Sequence, residues 1–315
     1  MSMSVGGAQG AGATADRRAH GFAGSKRSVA AESKRLMSRW LLPVCTVLLV
    51  AAVVVPVGYM LLLSITPNNS VALGIVSFAH LAFSNYVAMW SVAPLASGLL
   101  HTLIIAASAA AISVALGMLA AYPLTRLRFR GRGPYLVTLI GVHTIPGTTL
   151  LLPLFAIMSW IQTSISIHLI GSYWLVIVTY MSFGVPLSTW LLFSYLTTVP
   201  PSLEEAALVD GCTRFGALRR IILPIAFPAV AVAFVFAFLV GWNDVLFASV
   251  FTNSSTQTLA IALQRFSASQ DSSSLPLYGE LMSAAVVSAA PVVVLYLTFQ
   301  RYLVSGLSAG SLTGV

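Results

Sequence analysis

From residue 133 to residue 203 the chain carries no Asp, Glu, Lys or Arg. No water-soluble fold can spend that much sequence without a solvated charge. A helix crossing the hydrocarbon core of a bilayer needs about 20 predominantly apolar residues. The stretch is too long for one crossing and suits two, folded back through a short polar hairpin at 162–166. In lipid every backbone polar group must pair within its own segment or barrel, so long apolar runs read as helices. Six such runs are present, at 40–63, 95–122, 134–160, 171–196, 225–251 and 281–299. Composition agrees: 8% of residues are charged and 58% hydrophobic, where a soluble domain would hold about a quarter charged. The expectation is an all-α membrane protein with six transmembrane helices.

A net charge of +8 is of the sign that binds nucleic acid, but its placement argues against that partner. With the N-terminus inside and the loops allocated alternately, fifteen of the sixteen basic residues fall on the inner side and only Arg265 on the outer. That asymmetry is the bias that orients helices during insertion. It places both termini in the cytoplasm and accounts for the basic charge without a polyanionic ligand. Residues 1–36 are rich in Gly, Ala, Ser and basic residues and read as a disordered cytoplasmic tail. Residues 37–300 form the six-span domain and 301–315 a short inner tail. The first apolar run exceeds the ~7–15 residues of a secretory core segment, so it reads as an uncleaved anchor. Cys45 and Cys212 fall in unlike environments and make no plausible pair. Prolines at 43, 56, 146, 153, 186, 228 and 291 fall within the apolar runs, where each tends to kink a helix.

One short segment gathers charge. Residues 200–228 read PPSLEEAALVDGCTRFGALRRIILPIAFP and hold three of the eight acidic residues. Pro200 and Pro201 end the fourth span, and Ser202 stands three residues before Glu205 in the spacing of a capping box. Glu204 and Glu205 then lie in the first turn of a new helix, where the helix dipole favours negative charge. Gly211 suits the left-handed conformation that stops a helix. A second short helix is expected over 213–223, with Pro224 breaking it. The first helix offers Leu203, Ala206, Ala207 and Asp210 along one face, a peg that a soluble partner's groove could hold. A plain surface hairpin joining two spans fits the same pattern.

The segment EEAALVDGCTRFGALRRIILP resembles the signature of the permease subunits of binding-protein-dependent ABC importers. Glu205, Ala206, Ala207, Asp210, Gly211, Ile222, Leu223 and Pro224 match it in register. GWNDVLFA at 241–248, LGMLAAYPLTRLRFRG at 116–131 and GLSAGSLTG at 306–314 are similar to stretches of the carbohydrate branch, specifically its maltose-type second permease. The resemblance spans residues 36–315; Thr313 stands where that family's tail usually has lysine. It implies a type I importer permease fold in a bacterial cytoplasmic membrane. The implied partners are a second, non-identical permease, a cytosolic ATPase dimer that binds ATP and magnesium, and an extracytoplasmic solute-binding protein. It further implies that the loop at 200–224, with site residues from Glu204 to Pro224, is an ATPase-coupling element, with Glu205 in a charge-assisted contact, Ala206 and Ala207 allowing the fit, and Gly211 turning the chain. Gly306, Leu307, Ala309 and Gly310 would be a tail contact. No G-x-x-x-x-G-K-[ST] segment occurs in the chain, so it carries no phosphate-binding loop of its own and no cofactor is expected in it.

Charged groups within a membrane span are functional candidates by default. Asp244, with Asn243 and Trp242 beside it, is either a structural hydrogen-bonding group or a contact for solute or pathway water. His143, amid Thr144, Thr148 and Thr149, either bonds between helices or lines a cavity. Phe83, Tyr86 and Trp90 read as aromatic anchors of an outer interfacial helix, and as a possible docking surface for a binding protein. A self-sufficient secondary transporter would need coupling charges and repeats that this chain does not display. A membrane enzyme would need clustered ligands, whereas the five histidines are scattered singly. Glycerol-phosphate, polyol or amino-acid solutes stay open beside a sugar.

Overall fold

The computed structural model describes residues 43–72, 81–270 and 276–311. The 1–36 tail and Thr313 lie outside them. Two units are distinguished, residues up to Met60 and residues from Leu61 onward. The first unit contributes the greater part of helix α1 (Pro43–Ser64). The rest of the chain forms α2 (Asn68–Ala72), α3 (Asn85–Val92), α4 (Leu95–Arg126), α5 (Arg132–Thr144), α6 (Gly147–Ile165) and α7 (Tyr173–Leu196). There follow α8 (Ser202–Val209), α9 (Arg214–Ala217), a wide π turn (Leu218–Ile222), α10 (Leu223–Ile225), α11 (Phe227–Asn243), α12 (Leu246–Phe251), α13 (Leu259–Gln270) and α14 (Tyr278–Ser311). No strand occurs among the described residues, and the fold is all-α as expected.

Among the described residues five helices are long and apolar enough to cross a membrane, and six if Arg214–Ile225 and Phe227–Asn243, bent by 78° to one another, make one span. Two expected spans are interrupted. The run at 134–160 divides at Ile145 and Pro146, because a residue before proline is driven out of the helical region and Ile145 is extended (ψ 121°). The run at 225–251 stops at Asn243 and resumes as α12. Pro224 does not end the second short helix, which runs on to Ile225. The π turn before it bonds Leu223 N–H to the Leu218 carbonyl, one residue further back than an α turn. That register relieves the ring's usual clash with the preceding turn. The chain bends at Ala226, where Pro228, in the first turn of α11, has no N–H to bond across the bend.

The core is built on α4, α7 and α11. Gly117 of α4 faces Ser188 of α7, and Gly184 of α7 faces Ser113 of α4. Each helix thus presents small residues four apart, and the pairs ascend together, so the two helices run parallel, as the second and fourth spans of an alternating chain must. A Cβ on Gly117 would lie 2.8 Å from the Ser188 Cβ, and one on Gly184 2.5 Å from the Ser113 Oγ. Small residues allow this approach, which dispersion then stabilises in place of a hydrophobic drive that lipid cannot supply. Gly241 of α11 packs as closely on Tyr180 and Ala106. Toward the charged loop at 200–224, Met118, Ala121, Leu192, Leu196, Leu218 and Ile222 form one buried cluster.

The polar hairpin at 162–166 is present. Ser166 caps α6 at φ 57°, and the Gln162 side-chain carbonyl accepts from the N–H groups of Leu169 and Ile170. At the end of α1, the buried Asn85 amide donates to the carbonyls of Ser64 and Thr66, each at 3.0 Å. Asn68 donates to Glu280 at 2.7 Å, and Ser283 to the Ser64 carbonyl. Tyr86 is therefore no free interfacial anchor: its hydroxyl is 2.8 Å from Ser64 Oγ. Phe83 and Trp90 remain exposed.

Candidate functional site

The charged loop folds as two short helical segments around a turn. Pro200 and Pro201 supply the carbonyls that start α8: Leu203 N–H bonds to Pro200, and Glu204 and Glu205 N–H to Pro201. Ser202 is already helical and caps nothing, so the expected capping box does not form; Pro201 occupies the N-cap position. Gly211 takes φ +84°, the left-handed turn expected of it. Thr213 then caps α9, its hydroxyl accepting from Gly216 N–H.

Successive residues on a helix point about 100° apart, and this separates the two glutamates. Glu205, Ala206 and Asp210 stand exposed. Glu204 is 4% exposed and Ala207 3%, so Ala207 packs inward rather than sharing an outer face with Ala206. The Glu204 carboxylate forms an ion pair with Arg126 at the end of α4 (Nε to Oε2, 3.0 Å). It also accepts a hydrogen bond from the Tyr122 hydroxyl. Arg126 donates in addition to the Val199 carbonyl at 3.1 Å. Leu223 and Pro224 lie beyond the π turn, with Leu223 partly exposed.

Arg126 and Tyr122 are missed by a sequence reading that counts Arg126 only toward the orientation of the spans. The sequence carried no signal for them: Arg214, Arg219 and Arg220 all stand closer to Glu204 along the chain than Arg126 does.

The membrane candidates are placed as follows. Asp244 accepts from the Tyr180 hydroxyl and from Ala248 N–H, each at 2.9 Å, so its carboxylate caps α12 and joins it to α7. Trp242 is buried and stacked on Phe238, while Asn243 is exposed. His143 lines a cavity of about 250 Å³ with Leu139, Pro186, Leu187 and Trp190, and neither Asp244 nor Asn243 is part of that lining. Gly306, Leu307, Ala309 and Gly310 lie on the last turns of α14, which continues the helix to Ser311. Among the described residues no group of His, Cys, Asp and Glu is arranged to hold a metal ion.

Residues 113–309 match the family described as binding-protein-dependent transport system inner membrane component. The sulfoquinovosyl glycerol transport system permease protein SmoH of Agrobacterium fabrum is 35% identical over 232 residues, 73% of this chain and 78% of that protein. The trehalose/maltose transport system permease protein MalG of Thermococcus litoralis is 32% identical over 68% of this chain and 74% of its own length. A crystal structure of a bacterial ABC transporter involved in the import of the acidic polysaccharide alginate contains a chain of like fold. Its TM-score is 0.70 at 19% identity, covering 86% of this chain and 97% of that one. The resemblance read from the 200–228 segment is thereby borne out: the chain belongs to the family of inner membrane components of binding-protein-dependent transport systems.

Proposed function

We propose that this chain is the membrane-spanning subunit of an ATP-driven importer for a sugar or oligosaccharide. Family membership supplies the transport role, and relatives named for sulfoquinovosyl glycerol and for trehalose and maltose supply the solute class. The observation that carries the coupling reading is the split on α8, with Glu205 and Ala206 outward and Glu204 and Ala207 inward. An exposed acid beside an alanine, on a helix bracketed by Pro201 and Gly211, suits insertion into a groove lined by a basic residue. A separate ATPase dimer, holding ATP and magnesium, closes on nucleotide and pulls α8. The spans then open outward to receive solute from a binding protein, with a second permease completing the pathway. Asp244 acts in this reading as a structural cap, and Asn243 and His143 are the groups left to face pathway water or solute. The C-terminal turns of α14 at 306–310 are a further candidate contact for the ATPase.

The test is a mild-detergent pull-down of wild type beside Glu205→Lys, followed by uptake into liposomes with the binding protein. Copurification of an ATPase and a second permease with wild type, and loss of the ATPase from the variant, is the expected result. Wild type that purifies alone and moves solute without ATP overturns the reading.

A further inference from the structure

We propose that Glu204 is a positioning residue that clasps α8 to the last turn of α4, so that a pull on α8 is delivered to the spans. This rests on the importer reading above and adds to it the part of the chain that receives the movement. Tyr122 and Arg126 lie one helical turn apart, and between them they reach the exit of α7, α8 and the start of α9. Arg126 holds the Val199 carbonyl at the exit of α7 and pairs with Glu204 of α8. Tyr122 donates to Glu204, and its hydroxyl lies 3.4 Å from the Arg214 carbonyl at the start of α9. The paired side chains of Arg126 and Glu204 are only 8% and 6% exposed. Away from water such a pair resists separation, because parting it strands two desolvated charges.

What lies behind the clasp makes it a lever rather than a local staple. Ala121 and Met118 of α4 sit in the buried cluster with Leu192, Leu196, Leu218 and Ile222. One turn further along, Gly117 meets Ser188 with no room for a Cβ. Close-packed contacts of this kind leave no slack to absorb a displacement. A shift of α8 is therefore passed to α4 and on to α7. The two glutamates divide the work: Glu205 faces the partner, and Glu204 faces the chain's own membrane helices.

The experiment uses the full transporter complex in lipid, as wild type, Glu204→Gln, Arg126→Gln and the double variant. It measures ATPase subunit retained, ATP hydrolysis, and solute taken up per ATP. The expected result is that both single variants keep the ATPase subunit and continue to hydrolyse ATP, while uptake per ATP falls about 2- to 30-fold, the range for residues along a coupling network. The double variant should be no worse than either single one, since both remove the same link. Unchanged uptake per ATP in the single variants overturns the proposal, as does a fall in hydrolysis that matches the fall in uptake. If a single variant does not assemble, Tyr122→Phe decides, because it deletes one hydroxyl only: a lowered ratio supports the clasp and an unchanged ratio overturns it. Wild type that imports without an ATPase overturns the importer reading and this proposal together; intact wild-type coupling with no uncoupling in the variants overturns this proposal alone.

Discussion

Gly117 of α4 and Ser188 of α7 touch so closely that a Cβ on the glycine would sit 3.0 Å from the Thr189 nitrogen and 2.8 Å from the Ser188 Cβ. The obstacle is largely backbone, which cannot rotate aside. Gly117→Leu should therefore force α4 and α7 apart, at a cost of about 1–3 kcal/mol for an overpacked core. A lowered thermal unfolding temperature in detergent checks it. Ser188→Ala should be tolerated, because the Ser188 hydroxyl is buried without a hydrogen-bond partner; a large loss of stability in that variant would show that the hydroxyl is bonded after all.

Tyr180 joins α7 to the Asp244 carboxylate that caps α12. Tyr180→Phe should cost about 1.5–3 kcal/mol, the range for a hydrogen bond to a charged group. Asp244→Asn keeps an oxygen that can still accept from Ala248 N–H, so it should destabilise less than Asp244→Ala. Equal losses from both, read by thermal unfolding, would mean that the cap contributes little.

The Asn85 amide satisfies the carbonyls of Ser64 and Thr66 at the end of α1, and the residue is 5% exposed. Asn85→Leu leaves the Thr66 carbonyl without that donor, at about 1–3 kcal/mol for an unsatisfied buried group, while the Ser64 carbonyl keeps its bond from Ser283. Limited proteolysis of the segment at 64–94 should be faster in the variant. Unchanged cleavage would show that water replaces the amide.

At Gly211 the backbone takes φ +84°. A β-branched residue there costs about 1–2 kcal/mol in the left-handed region, with no side chain nearby to collide with. Gly211→Val should therefore weaken ATPase copurification while leaving the apolar core, and hence thermal stability of the membrane helices, nearly intact. Full retention of the ATPase would place the turn outside the coupling element.

Much of this architecture was legible along the chain. Charge-free length announced the helical hairpin of α6 and α7, and Gly211 announced its turn. Ile145 and Pro146 show where that legibility ends: the proline was visible, yet whether it kinks a span or divides it depends on what packs beside it. Pro224 misled in the opposite direction, because the π turn that accommodates it leaves no local mark. The capping spacing of Ser202 and Glu205 failed because Pro200 and Pro201 had already supplied the carbonyls that start α8.

Hydropathy is a property of each residue in turn, so apolar length, the orientation of charge and the family signature could all be read without a fold. Which face of a helix looks inward is a relation between segments distant in the chain. Glu204 and Glu205 are the same residue type in adjacent positions. Only the approach of α4, bringing Tyr122 and Arg126 against α8, buries one carboxylate in an ion pair and leaves its neighbour exposed. The same holds for Asp244, which the sequence left as a structural hydrogen-bonding group or a solute contact until Tyr180, 64 residues away, supplied the hydroxyl from which its carboxylate accepts.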